Sequence, residues 1–150
     1  MQNFSIQWSK ADVSDLSNER YLHLFLFERN GRILFIGNPQ GKDFQTLIPG
    51  VEEVIAKSGR TSNLWIGRII RSVSDKVKIE TTEQLRKMLL FSERPLLNGK
   101  ENYLFKSEEK YTLTNFGLNA LPSTLRYEHG KLIRSKKSTS SPGLRITATR

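Results

Sequence analysis

The chain has 150 residues, 37% hydrophobic and 26% charged, which is ordinary for one globular domain with a single core. It holds no cysteine and only two histidines, which excludes a disulfide framework, a thiolate metal site, a cysteine nucleophile and a histidine-rich metal centre. The net charge of +9 is uneven: Lys131, Arg134, Lys136, Lys137, Arg145 and Arg150 supply six positive charges without one acid, and residues 1–130 carry only +3.

The first residues, Met1 to Asp15, lack the charged start and apolar run of a secretory signal, and no stretch approaches the ~20 apolar residues of a membrane span. The expectation is a soluble intracellular protein, cytoplasmic or nucleoid-associated, with no membrane partner. Phe4, Ile6 and Trp8 alternate with polar residues, which predicts a short strand at the sheet edge within an N-terminal extension, residues 1–20. Tyr21–Phe27 and Ile33–Ile36 are β-favouring apolar runs, and Asn30-Gly31 between them has the two residues of a type I′ turn, so a β-hairpin is expected. Phe44, Leu47, Ile48, Val51, Val54 and Ile55 recur at helical spacing, interrupted by Pro49-Gly50 and capped by Gly59, and predict two short helices. Leu64–Ile70 reads as a third strand, buried on both faces. Thr81 three residues before Gln84 has the pattern of a capping box, and Leu85, Met88, Leu89 and Ser92 share one face of the helix that follows, which Pro95 stops. Tyr111–Asn115 is a late strand candidate. The Ser, Thr, Pro and Gly content of the basic end predicts a disordered tail over residues 129–150, either an arm for phosphates or a solubilising segment.

Two segments in this order resemble the GIY-YIG nuclease family. Leu22-His23-Leu24, ten residues and Phe35-Ile36-Gly37 stand where the family's two hairpin motifs would fall, and Gln84 to Asn98 resembles its later helix with the Pro-x-x-Asn ending, here Pro95 and Asn98. The resemblance spans residues 21–98 and rests on the order and spacing of these elements together. It implies an α+β fold, a small three-stranded sheet flanked by helices, within a domain of residues 21–128.

Enzymes of that family cut one phosphodiester strand with a divalent metal, a phenol and an arginine, the metal polarising phosphate and the arginine neutralising growing charge. The resemblance puts the two tyrosine positions at Leu24 and Phe35, so both hydroxyls are gone. Lys42 is the only cation where the first-helix arginine would lie, and it lacks arginine's bidentate fork. Arg86 stands at the metal-binding glutamate, and a guanidinium has no acceptor for a hard cation. Only Asn98 matches. Tyr21, Glu83 and Asn98 are the candidates for a rescued active site, which would use Mg²⁺; otherwise no metal and no cofactor is expected. No other catalytic pattern competes: there is no Gly-rich phosphate loop, Gly-x-Ser-x-Gly or His-Glu-x-x-His, His23 reads as a half-buried strand residue and His129 lies beside the tail.

The expected function is therefore nucleic-acid binding, with DNA the first partner to consider, by a domain without nuclease activity. Lys42, Arg68, Arg71, Arg86 and Lys87 would border the old cleft, and Lys136 and Lys137 of the tail would add phosphate contacts. An active endonuclease with relocated residues and a protein-interaction domain are the alternatives. DNA against RNA and the oligomeric state stay open.

Overall fold

The structure, a computed structural model, describes residues 2–12, 14, 24–38, 49–50, 52–53, 55–57, 62–70, 79–98, 105–135 and 137. Its strands are β1 (Gln2–Ala11), β2 (Leu24–Arg29), β3 (Arg32–Gly37), β4 (Asn63–Ile70), β5 (Tyr111–Phe116), β6 (Thr124–Glu128) and β7 (Lys131–Arg134). One helix, α1, spans Ile79–Glu93, and a 3₁₀ turn follows at Leu96–Asn98. Residues 49–50, 52–53 and 55–57 are also helical. The strands form one mixed sheet in the order β3-β2-β4-β1-β5-β6-β7, which overturns the expected three-stranded sheet flanked by helices. Every pairing is antiparallel except β1 with β5.

The hairpin forms as its sequence dictates. Asn30 and Gly31 hold φ values of 52° and 82°, the left-handed pair that matches strand twist, and Arg29 pairs with Arg32 across the turn. Glu28 secures it from beneath: its buried carboxylate accepts from Gly31 N at 2.9 Å, Trp65 Nε1 at 3.0 Å and Asn63 Nδ2 at 3.3 Å, so one side chain ties turn to β4. With three donors, the desolvated carboxylate keeps hydrogen-bonding capacity that burial would otherwise remove.

Far from an edge, β1 lies at the middle of the sheet, because Phe4, Ile6 and Trp8 all point to one face and are buried there. Gly67 of β4 admits Trp8: a Cβ at that glycine would stand 2.8 Å from the indole Cζ3 and 3.0 Å from Ile6 Cγ2. The indole Nε1 donates to Asn115 Oδ1 at 3.0 Å, and Asn115 Nδ2 donates to Pro122 O at 3.0 Å, so the buried polar atoms link β1 to the β5–β6 turn. On this face α1 contributes Leu85, Met88, Leu89 and Leu90 to a core that also holds Leu24, Leu26, Ile36, Leu113 and Leu125. The opposite face is covered at the hairpin side by a smaller cluster of Phe25, Phe27, Leu34, Leu64 and Ile66, against which Phe35, Ile55 and Leu97 pack.

Three further expectations change. β4 is not buried on both faces throughout, since Arg68 is half-buried and Ile70 exposed. Thr81 lies inside α1 rather than at its cap; Pro49 and Gly50 are helical, and the Phe44, Leu47 and Ile48 part of the expected helix pair and its Gly59 cap lie outside the described residues. The basic end is not disordered from residue 129: His129 (φ 52°) and Gly130 (φ 75°) make a second two-residue turn, β7 pairs with β6, and Ser135 N donates to Thr124 O. Residues 138–150, the rest of that expected tail, lie outside the described residues. No helix among the described residues is long and apolar enough to cross a membrane.

Gly67→Ala should force a methyl into the Trp8 ring and destabilise the protein by about 1–3 kcal/mol, as overpacking does. Urea unfolding would show a lower midpoint with an unchanged slope.

Candidate functional site

β3 is an edge strand, so its alternate residues turn N–H and C=O away from β2. At Ile36 both groups find one partner: Ile36 N donates to Asn98 Oδ1 at 3.0 Å, and Asn98 Nδ2 donates to Ile36 O at 3.0 Å. The Asn98 amide thus does what a peptide group of a neighbouring strand would do, and at 6% exposure it does so away from water. Pro95 ends α1 and the 3₁₀ turn delivers Asn98 to the sheet edge. The two sequence motifs, separated by more than sixty residues, therefore meet through a pair of hydrogen bonds.

Beside this bracket Asn38 Nδ2 donates to Glu83 Oε2 at 3.0 Å and Arg86 Nη1 to Glu83 Oε1 at 3.0 Å. Both carboxylate oxygens are engaged, one by a cation, and the ion pair is only 13% exposed at Arg86 and 21% at Glu83. A divalent ion would meet a guanidinium one helical turn along and a carboxylate already bonded on both oxygens, so this donor set does not fit a hard cation. Among the described residues no group of three or more His, Cys, Asp or Glu side chains gathers elsewhere.

The hairpin positions divide. Register shifts between Phe27 and Glu28, with Phe27 opposite Phe35 and Phe25 opposite Gly37. Leu24 consequently faces the α1 core, whereas Phe35 faces the other side, where its ring stands 6.0 Å from that of Phe25. Leu24 and Phe35, which the resemblance puts at the two tyrosine positions, therefore lie on opposite faces of the sheet. Phe25 and Phe27 share the Phe35 face, and the Phe25 ring lies where a Cβ of Gly37 would be, 2.4 Å from Cζ. Tight packing of a phenylalanine on a glycine across paired strands is the signal that identifies it, and strict alternation without the register shift hid it. Neither Phe25 nor Phe35 carries a hydroxyl.

The cations chosen from sequence also separate. Arg68 is half-buried on the face shared by Leu64 and Ile66, while Arg86 and the exposed Lys87 ride on α1 across the sheet. Lys137 lies at the far end of α1, paired with Glu93. Tyr21, Lys42, Arg71 and Lys136 fall outside the described residues. Comparison of the chain with protein-family models, characterised proteins and solved structures returned no match.

Asn98→Ala leaves the Ile36 N–H and C=O buried without their partner. The expected cost is about 2–4 kcal/mol, from two orphaned backbone groups at about 1–3 kcal/mol each with partial relaxation; equilibrium urea unfolding reads it directly.

Proposed function

We propose that the chain is a nucleic-acid-binding domain, DNA being the first ligand to test, related to the GIY-YIG nucleases and without hydrolytic activity. The single observation that carries the kinship is the Asn98 bracket on Ile36, because it joins the Phe35-Ile36-Gly37 motif to the Pro95–Asn98 ending in space as well as in order. The Arg86–Glu83 ion pair supports the loss of cutting: it supplies positive charge where a metal-dependent nuclease needs lone pairs.

Incubated with Mg²⁺ or Mn²⁺, supercoiled, linear and single-stranded DNA should remain intact on a gel. In parallel, fluorescence anisotropy with a labelled duplex should show binding that weakens as salt rises, with a log–log slope of about −0.9 per phosphate neutralised. Cleavage abolished by Glu83→Gln would establish the active-enzyme alternative. Absence of binding to DNA and RNA at low salt would remove the nucleic-acid reading and favour a protein partner.

A further inference from the structure

The described cations that do converge are not those of the old cleft. At the opposite end of β3, the hairpin tip, the end of α1 and Lys137 enclose a cavity of about 390 Å³ lined by Gly31, Arg32, Ile33, Glu93, Arg94, Leu96 and Lys137. We infer that this cavity is a phosphate-binding pocket, taking a phosphate or pyrophosphate group through Arg32, Arg94 and Lys137.

The carboxylate in the wall does not cancel these charges. Glu93, 2% exposed in its side chain, is held by Lys137 Nζ at 2.7 Å, Arg134 Nη2 at 3.1 Å and Ser92 Oγ at 2.6 Å. It anchors the C-terminal strand to α1 and so fixes Lys137 at the rim; the cavity wall carries three cations to one acid. Arg32 and Arg94 are exposed and have no carboxylate partner among the described residues.

Arg94 is the second, independent pointer. It adopts φ 47° directly after α1, donates its N–H to Leu90 O at 2.8 Å and precedes Pro95. That left-handed terminal position is the one where glycine or asparagine carries least strain. An arginine there accepts a backbone cost, and its guanidinium, stacked 5.6 Å from the Phe91 ring centroid, is held in a defined direction beside the cavity. The negative end of a helix opposes an anion, so recognition must come from the side-chain charges, and charge-assisted bonds from planar guanidinium forks suit phosphate oxygens. The cavity is of ligand size, which leaves space for the group that carries the phosphate.

Two sources share this chemistry, a nucleic-acid backbone and a free phosphorylated small molecule, and neither depends on the cleft at Arg86. Isothermal titration of the full chain with pyrophosphate should show saturable binding. Arg32→Gln with Arg94→Gln should weaken it about 10- to 100-fold, the loss expected for charge-assisted contacts, without lowering Tm. Arg126→Gln, which removes an exposed cation paired with Glu128, should leave it unchanged. If the double variant fails to fold, Arg32→Gln alone at the hairpin tip carries the comparison. Pyrophosphate that displaces a bound oligonucleotide assigns the pocket to the strand backbone, and pyrophosphate that binds without displacing it assigns a small molecule. Absence of pyrophosphate binding, an undiminished affinity in the variants, or an equal loss in Arg126→Gln would overturn the pocket whatever the DNA result.

Discussion

One side chain closes the edge of this sheet. An exposed edge strand offers unpaired N–H and C=O groups, and at Ile36 the Asn98 amide meets both in the geometry of a missing strand. The position of α1 depends on that contact, because Asn98 sits only a few residues beyond Glu93 and Pro95 leaves the connection little freedom. With the helix placed, Leu85, Met88 and Leu89 reach the core formed by Ile6, Trp8 and Ile36, and Glu83 comes within reach of Asn38.

Two other polar networks extend the same logic. Glu28 collects donors from its own turn and from β4, and the Trp8–Asn115–Pro122 chain of hydrogen bonds spans from the central strand to the C-terminal strands. Each lies among apolar side chains, where an unpaired group would cost several times what a surface bond contributes. The parallel β1–β5 pairing then joins the hairpin half to the β5–β7 half, so the first residues of the chain hold its two parts in one sheet.

Strong local signals were legible. Asn30-Gly31 with flanking β-favouring runs specified the hairpin, the apolar face of Leu85, Met88 and Leu89 specified α1, and Pro95 its end. What sequence concealed was long-range pairing: nothing local in Phe4-x-Ile6-x-Trp8 distinguishes a central strand from an edge. β7 was hidden by composition, since Lys131-Leu132-Ile133-Arg134 is an outer strand whose charges are the usual protection of a sheet edge, and it read instead as the start of a polar tail. His129-Gly130 was the available sign, because glycine after a residue able to take positive φ often makes a two-residue turn. At the candidate site, sequence order singled out Asn98 and Arg86, while the register shift in the hairpin, where Leu34 of β3 is passed over, put Phe25 rather than Leu24 on the face of Phe35.

The functional reading follows from what these contacts leave available. Glu83 and Arg86 pair with one another beside the Asn98 bracket, and Arg32 and Arg94, without a carboxylate partner among the described residues, line the cavity at the hairpin tip. All of this rests on the bracket between the two motifs, and amide hydrogen exchange at Ile36 measures it most directly. An Ile36 N–H donated to Asn98 should exchange as slowly as the amides of β2 and β4, and Asn98→Ala should accelerate it more than those neighbours. Rapid exchange in the unaltered protein, at the rate of an open sheet edge, would contradict the account.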